Sequence, residues 1–128
     1  MLKPVLIVSS NARHREKLVR SVLDSGLEAR LCASANEARR LLPTEDYTAV
    51  LCDDRLPDGD FTSVISQAQR LPGATPVIVV SRRDDWESYM IALAAGATDY
   101  LAFPPYKGEV DRSLARAAEL SRSLATVV

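Results

Sequence analysis

Three short runs constrain this chain more than anything else in it. Val5-Leu6-Ile7-Val8, Ala49-Val50-Leu51-Cys52 and Val77-Ile78-Val79-Val80 are apolar at successive positions, not at alternate ones. Neighbouring side chains along a strand point to opposite faces, so a strand that is apolar throughout is buried on both. Such strands belong to a parallel sheet covered by helices on each side. The intervening segments supply those helices. Asn11 is an N-cap, and Leu18, Val19, Val22 and Leu23 recur at helical spacing before Gly26. A second strand is expected over 27–33. Ser34-x-x-Glu37 is a capping box that opens a short helix ended by Pro43.

After the third strand, Pro57-Asp58-Gly59-Asp60 is a turn cluster. Phe61, Val64, Ile65 and Ala68 form the stripe of a third helix, stopped by Pro72-Gly73. A fourth strand spans 75–80. In the fourth helix, Trp86, Met90, Leu93 and Ala94 are expected in the core, with Gly96 closing it. A fifth strand covers 99–102. Val110, Leu114, Ala117, Ala118 and Leu124 lie along a last helix at about 107–126, a length that suits continuation toward an output domain.

The pattern is βα repeated five times. It predicts an α/β fold, a doubly wound parallel sheet with right-handed crossovers, in a single domain over 1–128. In such sheets function gathers at the carboxyl ends of the strands. Composition excludes several classes. Sixteen basic residues against 17 acidic give a net charge of −1, without the basic excess of a general nucleic-acid or anionic-membrane binder. No apolar run approaches the roughly 20 residues of a membrane span. A cytoplasmic domain is therefore expected. Two cysteines are too few for a disulfide scaffold or a four-cysteine zinc site.

The strand ends carry Ser9-Ser10-Asn11, Asp53-Asp54, Ser81-Arg82-Arg83 and Phe103-Pro104. With Asp53-Asp54-Arg55-Leu56-Pro57-Asp58-Gly59 and Gly96-Ala97-Thr98-Asp99-Tyr100-Leu101, the chain resembles a response-regulator receiver domain over essentially its whole length. The resemblance implies a flavodoxin-like fold with strand order 2-1-3-4-5. It makes Asp53 the phosphoacceptor position of a two-component phosphorelay, Ser81 the switch hydroxyl and Tyr100 the switch aromatic. Pro104 matches the proline whose preceding peptide bond is usually cis. Cys32 and Cys52 would be buried thiols separated by the first strand.

The departures from the family matter equally. Ser9 and Ser10 stand where receivers carry an acidic pair that helps hold Mg²⁺, Phe103 where they carry a lysine, and Phe61 where a glycine follows the turn aspartate. Phosphoryl transfer depends on positioning and charge neutralisation, and Mg²⁺ is a hard ion that takes carboxylate oxygens. Unit charges 4 Å apart interact by about 4 kcal/mol at an effective dielectric near 20, so losing two carboxylates removes several kcal/mol of metal affinity. Asp54 cannot replace them, because adjacent strand residues face apart. Weak or absent Mg²⁺ binding is expected, with no other cofactor. Arg82 is a candidate partner for Asp53 in place of the missing cation.

His14, the only histidine, reads as a solvated helix residue. The Ser9-Ser10-Asn11 segment lacks the glycines of a nucleotide site. Tyr89, Tyr100 and Tyr106 are candidates for a contact surface, because receivers present the fourth helix, fifth strand and fifth helix to partners. The expected function is therefore a non-enzymatic, phosphorylation-independent interaction module, a pseudo-receiver. It would bind a protein partner or a second copy through that face, with a histidine kinase as a further partner, and neither nucleic acid nor membrane. The alternative is a functional phosphoreceiver that accepts a phosphoryl group on Asp53 from a histidine kinase.

Overall fold

The computed structural model describes the backbone of residues 3–126 and the side chains of residues 3–120. The elements follow the expected alternation: β1 (Val5–Val8), α1 (Ala12–Asp24), β2 (Ala29–Cys32), α2 (Ala35–Leu41), β3 (Ala49–Asp53), α3 (Phe61–Gln69), β4 (Val77–Ser81), α4 (Trp86–Ala94), β5 (Asp99–Ala102) and α5 (Glu109–Thr126). The five strands are all parallel, in the order β2-β1-β3-β4-β5. The side chain of Leu124 lies outside the described residues.

The consecutive apolar runs behave as the sheet requires. β1, β3 and β4 are buried at every position. Their alternate side chains feed two cores. Leu6, Val8, Val50, Cys52, Val77 and Val79 pack under α2, α3 and α4. Val5, Ile7, Leu51, Ile78 and Val80 pack with Leu18 and Val22 of α1 and Leu114 of α5. Val8 is in register with both Cys32 and Cys52, so β1 separates the two cysteines. Both are buried free thiols. Burial pushes the Cys32 thiol up to about 11 and holds the Cys52 thiol well above its ordinary range.

The caps agree with the local sequence. Asn11, Ser34, Asp60 and Asp85 each accept a backbone N–H at the start of a helix. Pro43 ends α2 inside a 3₁₀ turn, Leu42–Thr44. The turn cluster at Pro57 is the tip of a small antiparallel ribbon pairing Arg55 with Asp60 and Leu56 with Gly59. At that tip Asp58 accepts the backbone N–H groups of Ala35 and Asn36, each at 2.9 Å. These bonds hold its carboxyl below the usual range and tie the ribbon to the start of α2.

Gly96 has φ +110, and a Cβ there would stand 2.5 Å from Gln69 Nε2 and 3.1 Å from Ile65 Cγ2. Gly96→Ala therefore combines backbone strain with displacement of the Gln69 side chain and crowding of Ile65, and is expected to cost about 1–3 kcal/mol in a urea melt. An unchanged midpoint would show that the α4–β5 turn relaxes freely.

The fourth helix corrects an expectation. Trp86 is 74% exposed, Met90 45% exposed and Ala94 exposed, so none of the three is in the core, whereas Leu93 packs against it. Seven of the nine α4 residues are apolar or aromatic, so two helical stripes compete. The sheet takes the one through Ala92 and Leu93, in which the small Ala92 allows close approach and is fully buried. Leu23, expected on the buried face of α1, is likewise exposed. Among the described residues no helix is long and apolar enough to cross a membrane.

Candidate functional site

The carboxyl ends of β1, β3, β4 and β5 converge at one edge of the sheet. Asp53 is the last residue of β3, paired with Val80, and only 4% exposed. Both of its oxygens have partners from this chain. Ser9, fully buried just past β1, donates its hydroxyl to Asp53 Oδ2 at 2.6 Å. His14 places Nδ1 3.3 Å from Oδ1, donating to it when that nitrogen carries a proton. Burial raises the Asp53 pKa. The Ser9 and His14 hydrogen bonds and the His14 charge pull it down, while neighbouring Asp54 pushes it up.

The position of His14 contradicts its reading as a solvated residue. It is buried, and its ring stacks on Phe103 with centroids 3.9 Å apart. A signal for this was present: His14, Leu18 and Val22 lie four residues apart on one helix face, and all three are buried. Its backbone N–H bonds the Asn11 cap, which puts its side chain in the first turn of α1, over the strand ends.

Arg82 does not take the role considered for it. It is exposed, and among the described residues the ionic contact of Asp53 is with His14. Arg82 instead borders a cleft of about 330 Å³ with Ser10, Asn11, Arg55 and Arg83, above Asp53 and Asp54. Ser10 is exposed and is not among the partners of Asp53.

Asp53 and Asp54 face apart, as strand geometry requires. Asp54 is half-buried and accepts the Ser81 hydroxyl at 3.0 Å. It also borders a second cleft of about 510 Å³, over Phe61 and Tyr100. Ser81 Oγ in turn accepts the Arg83 backbone N–H at 3.0 Å. The Tyr100 hydroxyl donates to the Arg83 carbonyl at 2.6 Å. One peptide segment is thus held by both the Ser81 and Tyr100 side chains. Tyr100 meets Tyr89 edge to face, and Tyr89 stacks with Trp86. The chain of contacts from Asp54 therefore ends at an exposed aromatic. Tyr106 is 82% exposed beyond β5. The Phe103–Pro104 bond is cis.

A doubly wound sheet with strand order 2-1-3-4-5, an aspartate closing β3 and a hydroxyl closing β4 is the architecture of receivers. The chain belongs to the response regulator receiver domain family, whose model matches residues 5–112. It is 32% identical over 115 residues to the response regulator protein PilR of Pseudomonas aeruginosa, covering 90% of this chain and 26% of that protein. It is also 32% identical over 106 residues to the virulence transcriptional regulatory protein PhoP of Salmonella typhimurium, covering 83% of this chain and 47% of that protein. The chain thus spans less than half the length of either relative. Among solved structures, the receiver domain of the sensor histidine kinase PA1611 from P. aeruginosa superposes with a TM-score of 0.82 at 26% identity, over 93% of this chain and 99% of that one. That structure holds a magnesium ion coordinated in its active-site cleft. The receiver domain of a LuxO repressor protein from Vibrio parahaemolyticus, 17% identical with a TM-score of 0.86 over 99% of this chain and 98% of that one, shares the fold.

Proposed function

We propose that this domain is a signalling interaction module that keeps the receiver fold and works without phosphorylation of Asp53. The observation that carries the reading is the occupied carboxylate: Ser9 and His14 take both Asp53 oxygens within the chain. An aspartate acts as a nucleophile through an oxygen lone pair that reaches phosphorus, and an internal hydrogen bond engages a lone pair on each of these oxygens and lowers their nucleophilicity. Mg²⁺ fits the residues poorly. Ser9 and Ser10 are neutral, the Ser9 proton points at Asp53, and Phe103 and His14 fill the space beside it. Among the described residues no three His, Cys, Asp or Glu side chains gather as a metal site. On this reading the domain works as a binding module, without catalysis or a cofactor of its own.

Its output would be recognition through the α4–β5–α5 face by a protein partner or a second copy. The exposed Trp86, Met90, Ile91 and Tyr106 support this reading, as does the chain of contacts that links Ser81 and Tyr100 to Trp86. A histidine kinase remains a candidate partner without phosphoryl transfer. The near-neutral charge argues against nucleic acid, and a cytoplasmic setting suits such a module.

The test is incubation with Mg²⁺ and phosphoramidate, read by intact-mass spectrometry beside a conventional receiver. We expect no gain of mass here and a phosphoryl gain in the control. A phosphoryl gain that disappears in Asp53→Asn would make this a working phosphoreceiver.

A further inference from the structure

We infer that His14 is a positioning residue that caps Asp53: with Ser9, it holds both carboxylate oxygens inside the protein and closes them to external phosphoryl donors and cations. This rests on the reading of Asp53 given above and names the residue responsible for it.

Three observations carry the inference. First, the ring cannot swing away easily. His14 lies on the buried stripe of α1 with Leu18 and Val22, so the helix backbone aims it at the strand ends. Second, the plane of the ring is set from the opposite side. Phe103 stacks on it at 3.9 Å and 28°, offering a flat apolar face and no donor of its own. An ammonium at that position would compete for Asp53, whereas an aromatic ring leaves the carboxylate to the imidazole. Third, the cap is selective between neighbours. Asp53 and Asp54 share one strand end and both border the 330 Å³ cleft, yet Asp53 is 4% exposed with each oxygen bonded, with His14 beside it in the cleft wall, while Asp54 is half-buried and opens to the 510 Å³ cleft as well.

Asp53 meets polar and charged groups from several elements. From α1 the facing group is His14, and Arg15 is turned to the Ser9 carbonyl at 3.4 Å. From β1 it is the Ser9 hydroxyl. From β3 they are the Cys52 thiol and Asp54. From the loops, Arg55, Arg82 and Arg83 border the cleft above. Of these, His14 and Ser9 bond the carboxylate directly.

The experiment uses Asp54 as an internal control. The intact domain is labelled with a water-soluble carbodiimide and an amine, and the modified carboxyls are mapped by peptide mass spectrometry. In the wild-type chain, Asp54 is expected to label and Asp53 to be protected. His14→Ala should raise Asp53 labelling about tenfold, the scale of one hydrogen bond to a charged group, with Asp54 little changed. In parallel, the Asp53 carboxyl is titrated by ¹³C NMR in wild type and in His14→Phe. That variant keeps an aromatic ring against Phe103 and removes the nitrogen, so a purely packing role would leave the titration unmoved. We expect the Asp53 pKa to rise further, because a hydrogen bond and a charge that lower it are gone. Labelling of wild-type Asp53 as fast as Asp54, or an unmoved titration in His14→Phe, would overturn the cap. Should His14→Ala fail to fold, the His14→Phe titration decides alone. A wild-type domain that gains a phosphoryl group on Asp53 would sink the phosphorylation-independent reading and the closure to phosphoryl donors together, whereas no phosphoryl gain with an unmoved titration in His14→Phe would sink the cap alone.

Discussion

Ser9→Asp should destabilise the domain by about 2–4 kcal/mol at pH 7 in the presence of a chelator, the scale of two unit charges near 4 Å at an effective dielectric of about 20. Ser9 is fully buried, and its hydroxyl donates to Asp53 at 2.6 Å. The substitution removes that donor and sets a second carboxylate against the first where water cannot screen them. The sign with pH follows from burial, which already raises the Asp53 pKa in the folded state. A raised carboxyl contributes stability that is fully present below its unfolded pKa and is lost as pH rises through the folded value. A second acid deepens that loss, so the deficit should shrink as the solution is acidified. Urea melts of wild type and Ser9→Asp at pH 7 and pH 4 measure both effects.

The same site predicts how the deficit is relieved. Adding Ser10→Asp and Phe103→Lys to Ser9→Asp supplies the acidic pair and the cation that the family resemblance assigns to these positions. Mg²⁺ should then stabilise the triple variant by mass action and leave wild type nearly unaffected. Equal responses of the two proteins to Mg²⁺ would mean that the missing charges do not explain the expected weak metal affinity.

The second large effect belongs to the core. Leu51→Ala is expected to cost about 3–5 kcal/mol, the range for a fully buried leucine whose cavity cannot collapse. Leu51 lies in the middle of β3, the central strand, fully buried between β1 and β4 and facing Leu18 and Leu114. Against a total stability of about 5–15 kcal/mol for a domain, this removes from about a fifth to nearly all of it. Leu31→Ala provides the contrast. It removes the same atoms from the edge strand β2, where the side chain is 48% exposed, and should stay within about 0.5 kcal/mol of wild type. Similar losses at the two positions would show that the sheet is not buried on both faces.

Much of the fold was legible because its signals are local. A strand apolar at every position has one stable environment, a sheet covered on both faces, and β1, β3 and β4 are buried throughout. The caps at Asn11 and Ser34 acted within three residues of their partners. The fourth helix was not legible in the same way. With apolar residues nearly all round it, its sequence offered two faces, and the sheet took the one with a small alanine.

The site divides along the same line. Asp53 and Ser81 could be placed from sequence because a strand end is a position along the chain, and Tyr100 because it lies within the short fifth strand. Strand alternation also separated Asp53 from Asp54, and the two side chains do take different partners. What sequence could not decide was which side chain fills the space beside Asp53. Arg82 stood on a neighbouring strand end and had the charge, whereas His14 lay 39 residues away in sequence. The choice depended on helix rotation: once Leu18 and Val22 are buried, the same face of α1 brings His14 over the end of β3, and Phe103 receives its ring. The amino-acid sequence determined the layers, the strand ends and the aspartate at one of them. Packing α1 onto the sheet determined that the aspartate is met by an imidazole, because the direction of a helical side chain is set by what the rest of its face must bury.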